Sequence, residues 1–205
     1  LMECQTKEIS FSIFDMLFLF LKVLNFKEMT KNYHYIPLKI PVSYTVFKNP
    51  IGLTGLIGSS TGLLRIIYKL SNENSMENYL AQSTQGKATK SPSEFKELIK
   101  QFLNYFKGNL KNFDFPLDLR LGTPFQQKVW NKLTTIPYGK TCSYKWIASA
   151  INNPQACRAV GNANGRNPLA ILIPCHRVIR ENGELGGYTG GISIKRFLLN
   201  LEQGN

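Results

Sequence analysis

The stretch Asn167-Pro-Leu-Ala-Ile-Leu-Ile-Pro-Cys-His-Arg-Val-Ile179 decides how the second half of the chain is read. Its apolar run, residues 169–173, has the length and continuity of a fully buried strand between two prolines. That reading places Cys175 directly after a rigid proline at a strand end, so the thiol is held in one position. His176 and Arg177 beside it favour the thiolate, which is the reactive form of cysteine. A free cysteine in apolar surroundings is also a common inert core residue. A single Cys-His neighbour pair leaves both readings open.

Upstream, Asn162-Ala-Asn-Gly-Arg166 is a turn-rich break. Before it, two short helices are expected over 143–151 and 154–164, separated by Asn152-Asn153, a spacing that fits a compact helix-turn-helix. In the second of these, Ala156, Ala159, Val160 and Ala163 recur at helical spacing and form a small-residue packing face. Arg158 follows Ala156 by two positions, about 200° around the helix, and so points away from that face. Further back, Thr123, Pro124 and Gln126 supply cap, first-turn proline and capping box for a helix buried through Phe125, Val129, Trp130 and Leu133. Ile136-Pro137-Tyr138-Gly139 ends it.

The first half reads differently. Val42, Tyr44 and Val46 alternate with polar residues, and the turns Asn49-Pro50-Ile51-Gly52 and Gly58-Ser59-Ser60-Thr61-Gly62 separate runs at 53–57 and 63–70. Three short strands with tight turns make a small antiparallel meander. Residues 71–90 are polar and are expected to be an exposed loop. A helix then begins at Ser91, Pro92 and Glu94, buries Phe95, Leu98, Ile99, Phe102 and Phe106, and stops at Gly108. Residues 113–119 alternate again, with Pro116 marking an edge. The apolar run at 11–24 is too short to span a bilayer and is interrupted by Asp15 and Lys22. Glu3 and Glu8 disfavour a signal peptide. The expected organisation is a dispensable extension over 1–35, a strand-rich domain over 36–118 and a second domain over 119–205.

Charge separates the halves further. The chain carries a formal +12, and from residue 119 onward eleven basic residues face only Glu181, Glu184 and Glu202. The second domain therefore faces a polyanion. A composition of 43% hydrophobic and 12% aromatic residues excludes a disordered chain. Cys4, Cys142, Cys157 and Cys175 show no C-x-x-C spacing, and His34 and His176 are the only histidines, so neither a structural zinc site nor a disulfide framework is expected. Free thiols fit an intracellular setting, cytoplasm or nucleus.

The 167–179 stretch closely resembles the active-site signature of the O6-alkylguanine-DNA alkyltransferases (methylated-DNA–protein-cysteine methyltransferases). The resemblance continues from about Gly122 to Glu202 through Pro137-Tyr-Gly, Ser143-Tyr144, Arg158-Ala-Val-Gly161, Gly186-Gly-Tyr188-Thr189-Gly-Gly191 and Lys195-Arg-Phe-Leu-Leu-Asn-Leu-Glu202. It implies an α+β protein: a small antiparallel-sheet, ribonuclease-H-like domain, then a mainly helical domain with a winged-helix-like helix-turn-helix. It implies DNA repair by one irreversible transfer of a methyl or alkyl group from O6 of guanine, and more weakly O4 of thymine, to Cys175. His176 would take the thiol proton through a water, Glu202 would orient His176, and Tyr144 would protonate the departing purine. Arg158 and Ala159 would enter the minor groove of double-stranded DNA, with Arg158 filling the gap left by the flipped nucleotide. Asn167 would hold the turn before the active-site run, while Tyr188 and the Thr189 N–H would line the guanine pocket. Ala170 and Asn164 would lie beside it. A monomer with no cofactor, metal or membrane partner is implied. The competing reading is a non-catalytic binder of alkylated DNA; such relatives carry tryptophan where Cys175 stands here.

Overall fold

The computed structural model describes residues 38–84 and 87–204. The extension over 1–35 and the apolar run at 11–24 lie outside the described residues. Among the described residues no helix is long and apolar enough to cross a membrane.

Strand β1 (Val42–Asn49) and strand β2 (Gly52–Ser59) form a hairpin with Tyr44 opposite Ile57 and Phe47 opposite Thr54. Its two-residue turn closes because Asn49 Oδ1 accepts the Ile51 N–H at 3.0 Å and Gly52 adopts φ +115°. Strand β3 (Gly62–Leu70) pairs antiparallel with β2, completing the expected meander. The polar stretch after it is not a loop. Asn72 caps helix α1 (Glu73–Ser83) by accepting the Ser75 N–H at 3.0 Å, and strand β4 (Ala88–Lys90) then pairs in parallel with β1. Met76, Tyr79 and Leu80 give α1 a stripe of three buried residues, enough to cover one sheet face although the segment is polar overall.

The sheet order is β3-β2-β1-β4. Ile57, Leu64 and Ile67 pack under α1, whereas Leu56, Leu63, Ile66 and Tyr68 join the core shared with the second half of the chain. That shared core includes Leu98, Phe102, Tyr105 and Phe106 of helix α2 (Lys96–Phe106). Ser91 does not cap this helix: a 3₁₀ turn, Pro92–Phe95, precedes it, and the Ser91 N–H instead extends the β4–β1 pairing to Tyr44 O at 2.9 Å.

Helix α3 (Pro124–Leu133) has both bonds of its capping box, Thr123 N–H to Gln126 Oε1 at 2.9 Å and Gln126 N–H to Thr123 Oγ1 at 3.3 Å. Helix α4 (Tyr144–Ala150), a 3₁₀ turn Pro154–Ala156 and helix α5 (Cys157–Gly165) form the expected helix pair. Trp130 of α3 donates from its indole to Ala163 O at 2.8 Å, fixing α5 on α3. The packing stripe of α5 is Val160, Ala163 and Asn164. Ala159 is exposed beside Arg158 and does not pack, because it faces the open side of the pair. Two short strands, β5 (Cys142–Ser143) and β6 (Val178–Ile179), pair in parallel, and helix α6 (Ile192–Gln203) closes the domain.

The apolar run 169–173 is buried but is not a strand. Leu169, Ile171 and Ile173 are buried along a series of turns, Ala170 bridges to Ile173, and Ile171 takes φ +79°. Asn167 serves the backbone that a neighbouring strand would otherwise serve: its Oδ1 accepts the Leu169 N–H at 3.0 Å and its Nδ2 donates to Ile173 O at 2.8 Å.

Candidate active site

Cys175 opens a 3₁₀ turn, Cys175–Arg177, whose three residues are all buried. The turn faces α6 in consequence, and Glu202 in the last turn of that helix is the centre of the site. Glu202 Oε1 accepts from His176 Nε2 at 2.8 Å, from Tyr105 Oη at 2.6 Å and from Arg177 Nη2 at 2.9 Å. Its Oε2 accepts from Arg177 Nε at 2.8 Å and from the Gly139 N–H at 3.1 Å. Burial alone would raise the Glu202 pKa, but these hydrogen bonds, from His176 and Arg177 foremost, hold it well below the usual carboxylate range. Glu202 is thus a carboxylate and can only accept, so His176 Nε2 carries the proton of that contact. His176 Nδ1 has no hydrogen-bond partner among the described residues. Burial lowers the His176 pKa, keeping the imidazole neutral with its Nδ1 lone pair available.

The thiol itself behaves differently from the sequence expectation. Burial pushes Cys175 up to about 11, against the opposing pull of an Asn167 hydrogen bond and the Lys195 charge. Arg177 does not serve the thiol, because its guanidinium is spent on Glu202 and on Ile136 O, the latter at 2.6 Å. The resting sulfur is a protonated thiol.

Tyr144, at the start of α4, is half-buried, and burial followed by the neighbouring Cys175 raises its pKa, so its hydroxyl is a proton donor. It borders a cleft of about 440 Å³ lined also by Lys145, Gln155, Cys157 and Arg180. Gly186 is required against it: at φ +65° its backbone is left-handed, and a Cβ there would stand 3.1 Å from Tyr144 Oη. Tyr188 is half-buried, and a Cβ on Gly190 would lie 2.9 Å from its ring. Thr189 Oγ1 donates to Gly165 O at 2.6 Å, tying this loop to the end of α5. Arg158 and Ala159 are exposed on α5. Asn164 donates to Cys175 O at 3.3 Å, and Ala170 lies in the turn before the cysteine.

Three contributors were not foreseen. Lys195 is buried, its Nζ donating to Val178 O at 2.6 Å and to Leu185 O, and burial lowers its pKa to about 8. It pins β6 to the glycine loop. The signal was present: Lys195, Leu198 and Glu202 share one helix face at i, i+3 and i+7. Arg177 was visible as a neighbour of His176 but not as a ligand of Glu202. Tyr105, almost a hundred residues before Glu202, left no local signal. The three described cysteines, Cys142, Cys157 and Cys175, form no disulfide, and no group of three metal-ligating side chains occurs among the described residues.

Fold and site together define a protein that presents a buried thiol, backed by a His–Glu pair, behind a helix-turn-helix. Comparison with known proteins makes the class specific. Residues 42–119 match the 6-O-methylguanine DNA methyltransferase ribonuclease-like domain, and residues 124–204 match the DNA binding domain of the same family. A methylated-DNA–protein-cysteine methyltransferase of Methanosarcina acetivorans is 45% identical over 159 residues, covering 78% of this chain and 97% of the relative. A crystal structure of the Mycobacterium tuberculosis protein OGT in complex with DNA superposes with a TM-score of 0.68 at 46% identity, covering 80% of this chain and 94% of that one. The O6-methylguanine-DNA methyltransferase of Pyrococcus kodakaraensis gives a TM-score of 0.60 at 30% identity, over 78% and 98% of the two chains. The chain belongs to the methylated-DNA–protein-cysteine methyltransferase family.

Proposed function

We propose that this protein repairs DNA by transferring the alkyl group of an O6-alkylguanine to Cys175, once per molecule. Family membership supports the reaction class, and the buried His176–Glu202 pair behind the thiol carries the assignment of the acceptor. The sulfur attacks the alkyl carbon; an S–C bond forms as the C–O6 bond breaks, and the electron pair leaves with guanine. The thiol proton passes through a water to His176 Nδ1, since Nε2 is committed to Glu202. Tyr144 donates its phenolic proton to the purine as charge develops there. The sequence supports the same chemistry on O4 of thymine as a weaker reaction.

A buried thiol cannot reach a base stacked in a duplex, so the nucleotide is rotated out of the stack toward Cys175 and Tyr144. The M. tuberculosis relative crystallised with DNA supports a DNA partner for this chain. Exposed Arg158 and Ala159 on α5 enter the minor groove, with Arg158 taking the place of the flipped base, and the helix pair works as a winged-helix-like unit. Tyr188 and the Thr189 N–H line the pocket, and Asn167 holds the turn before Cys175. The protein acts as an intracellular monomer, with a sheet domain over 36–118 and a catalytic domain over 119–205, and residues 1–35 are dispensable. The acidic-poor second half makes binding insensitive to sequence and weakened by salt.

The test is stoichiometric. Incubation with duplex DNA carrying O6-methylguanine adds one methyl group, mapped by peptide mass to Cys175, with loss of one lesion per protein. Tight binding without a mass change would favour a non-catalytic DNA binder. Turnover beyond one lesion per molecule would reject the single-use mechanism.

A further inference from the structure

The turn that precedes Cys175 is not held by its own domain alone. Strand β3 is the edge strand of the first sheet, and its outer side takes up backbone from elsewhere, beginning with residues 116–118 at Leu63. That side meets the turn. The Ile66 N–H donates to Pro168 O at 2.9 Å, and the hydroxyl of buried Tyr68 donates to Ala170 O. Directly after the second anchor the chain passes through Ile171 at φ +79°, a left-handed conformation that a β-branched residue adopts only under constraint.

What the turn carries is Asn167. Its amide has two hydrogens and one carbonyl oxygen. One N–H serves Ile173 O and the oxygen takes the Leu169 N–H, which leaves the second N–H for the Cys175 sulfur. The amide is therefore locked into the turn at both ends, and its donor toward the sulfur moves whenever the turn moves.

We propose that Tyr68 is a positioning residue for transfer to Cys175: through Ala170 O it fixes the turn that holds the Asn167 amide against the sulfur. The inference rests on Cys175 being the alkyl acceptor. It gives the first domain a part in the chemistry that does not pass through DNA. Asn167 supplies a donor to the sulfur as it becomes a thiolate, and Tyr68 keeps that donor in place. Tyr68 acts through Ala170 O.

The experiment compares the full chain with its Tyr68→Phe variant, which loses only the hydroxyl. Single-turnover transfer is measured from a duplex carrying O6-methylguanine and from a free O6-alkylguanine base. The expected result is a loss of about fivefold to tenfold on both substrates, the scale of one neutral hydrogen bond, with duplex affinity unchanged. The pH–rate profile shifts to the alkaline side, because a thiolate short of its donor forms at higher pH. In an Asn167→Ala background the same substitution has no further effect, since the two residues act in series. A rate and pH profile equal to wild type would overturn the proposal. So would a slower rate with an unmoved pH profile and the same loss in the Asn167→Ala background, which would make Tyr68 a structural support only. If the phenylalanine variant does not fold, 3-fluorotyrosine at position 68 keeps ring and hydroxyl and changes the donor strength; an unchanged rate and pH profile there overturns the proposal as well. Absence of a methyl group on Cys175 in the wild-type protein is a separate outcome, which rejects the acceptor assignment instead.

Discussion

Two buried carboxylates organise this molecule, and they do opposite jobs with the same chemistry. Asp118 lies where the chain leaves the first sheet; its Oδ2 accepts from Ser59 Oγ at 2.5 Å and Thr61 Oγ1 at 2.6 Å, and its Oδ1 accepts from Arg120 Nε at 2.8 Å. Every partner is an alcohol, a backbone group or a surface arginine, and nothing it holds can act on a substrate. Glu202 is equally buried and also paired with arginine, but one of its partners is a histidine whose other nitrogen has no hydrogen-bond partner among the described residues. The difference lies in what the carboxylate leaves available. Asp118 satisfies groups and stops there, whereas Glu202 satisfies one side of His176 and thereby sets up the other.

Breaking the Glu202 centre has the largest effect. Glu202→Gln keeps the shape but removes the charge that fixes the His176 tautomer, so single-turnover transfer falls by about 10²–10⁴-fold, the usual share of acid–base assistance. It also strands Arg177 as a buried charge, costing about 3–5 kcal/mol in a denaturant melt. Transfer at the wild-type rate would remove Glu202 from the relay.

The matching substitution at the other carboxylate separates stability from chemistry. Asp118→Ala lowers stability by about 1–2 kcal/mol, because half-buried Ser59, exposed Thr61 and Arg120 lose their shared acceptor. Transfer per folded molecule is unchanged. A loss of transfer larger than the loss of folded protein would show that the two centres are not independent.

The two can also be told apart by acid. Burial would raise the Asp118 carboxyl, but Ser59, Thr61 and Arg120 bring it down to about 2 from an ordinary 3.8. A depressed folded pKa stabilises the native state above the unfolded value, and the contribution is lost as pH falls through 4 toward 2. Its size is about 1–2 kcal/mol after allowance for the half-exposed Arg120. Wild type should lose stability over that window more steeply than Asp118→Ala, and parallel acid melts would contradict the assignment. The smallest effect is at the α3 cap, where Thr123→Ala costs about 1 kcal/mol with no change in transfer rate.

How much of this could be read from the sequence depended on how local each feature is. The capping box at Thr123 and Gln126, the helix pair and the β1–β3 meander each rest on patterns a few residues long, and each is present. Helix α1 was missed because its buried apolar side chains are Met76, Tyr79 and Leu80 alone, within an otherwise polar stretch. The run 169–173 has the composition of a strand, yet Asn167 and the edge of β3 satisfy its backbone without one. Cys175 and His176 drew notice from their local setting, and the roles assigned to them and to Tyr144 came from the family motifs. The Glu202 partnership with Tyr105 and Gly139, and the Tyr68 contact, join segments far apart in sequence, where no spacing rule reaches. The thiol's pKa was misjudged for a related reason: adjacency in sequence put Arg177 beside Cys175, while folding turned its guanidinium toward Glu202.

The Glu202 knot draws on four separate stretches of chain: α2 through Tyr105, the break at Gly139, the turn at His176 and Arg177, and α6 itself. A molecule in which any one of them has not closed lacks part of the donor set that holds the Glu202 carboxylate. Under the proposed transfer to Cys175, chemical competence is therefore a readout of complete folding. If each molecule acts only once, as proposed, this restricts use of the acceptor to finished copies, because assembly of the fold and arming of the sulfur are the same event.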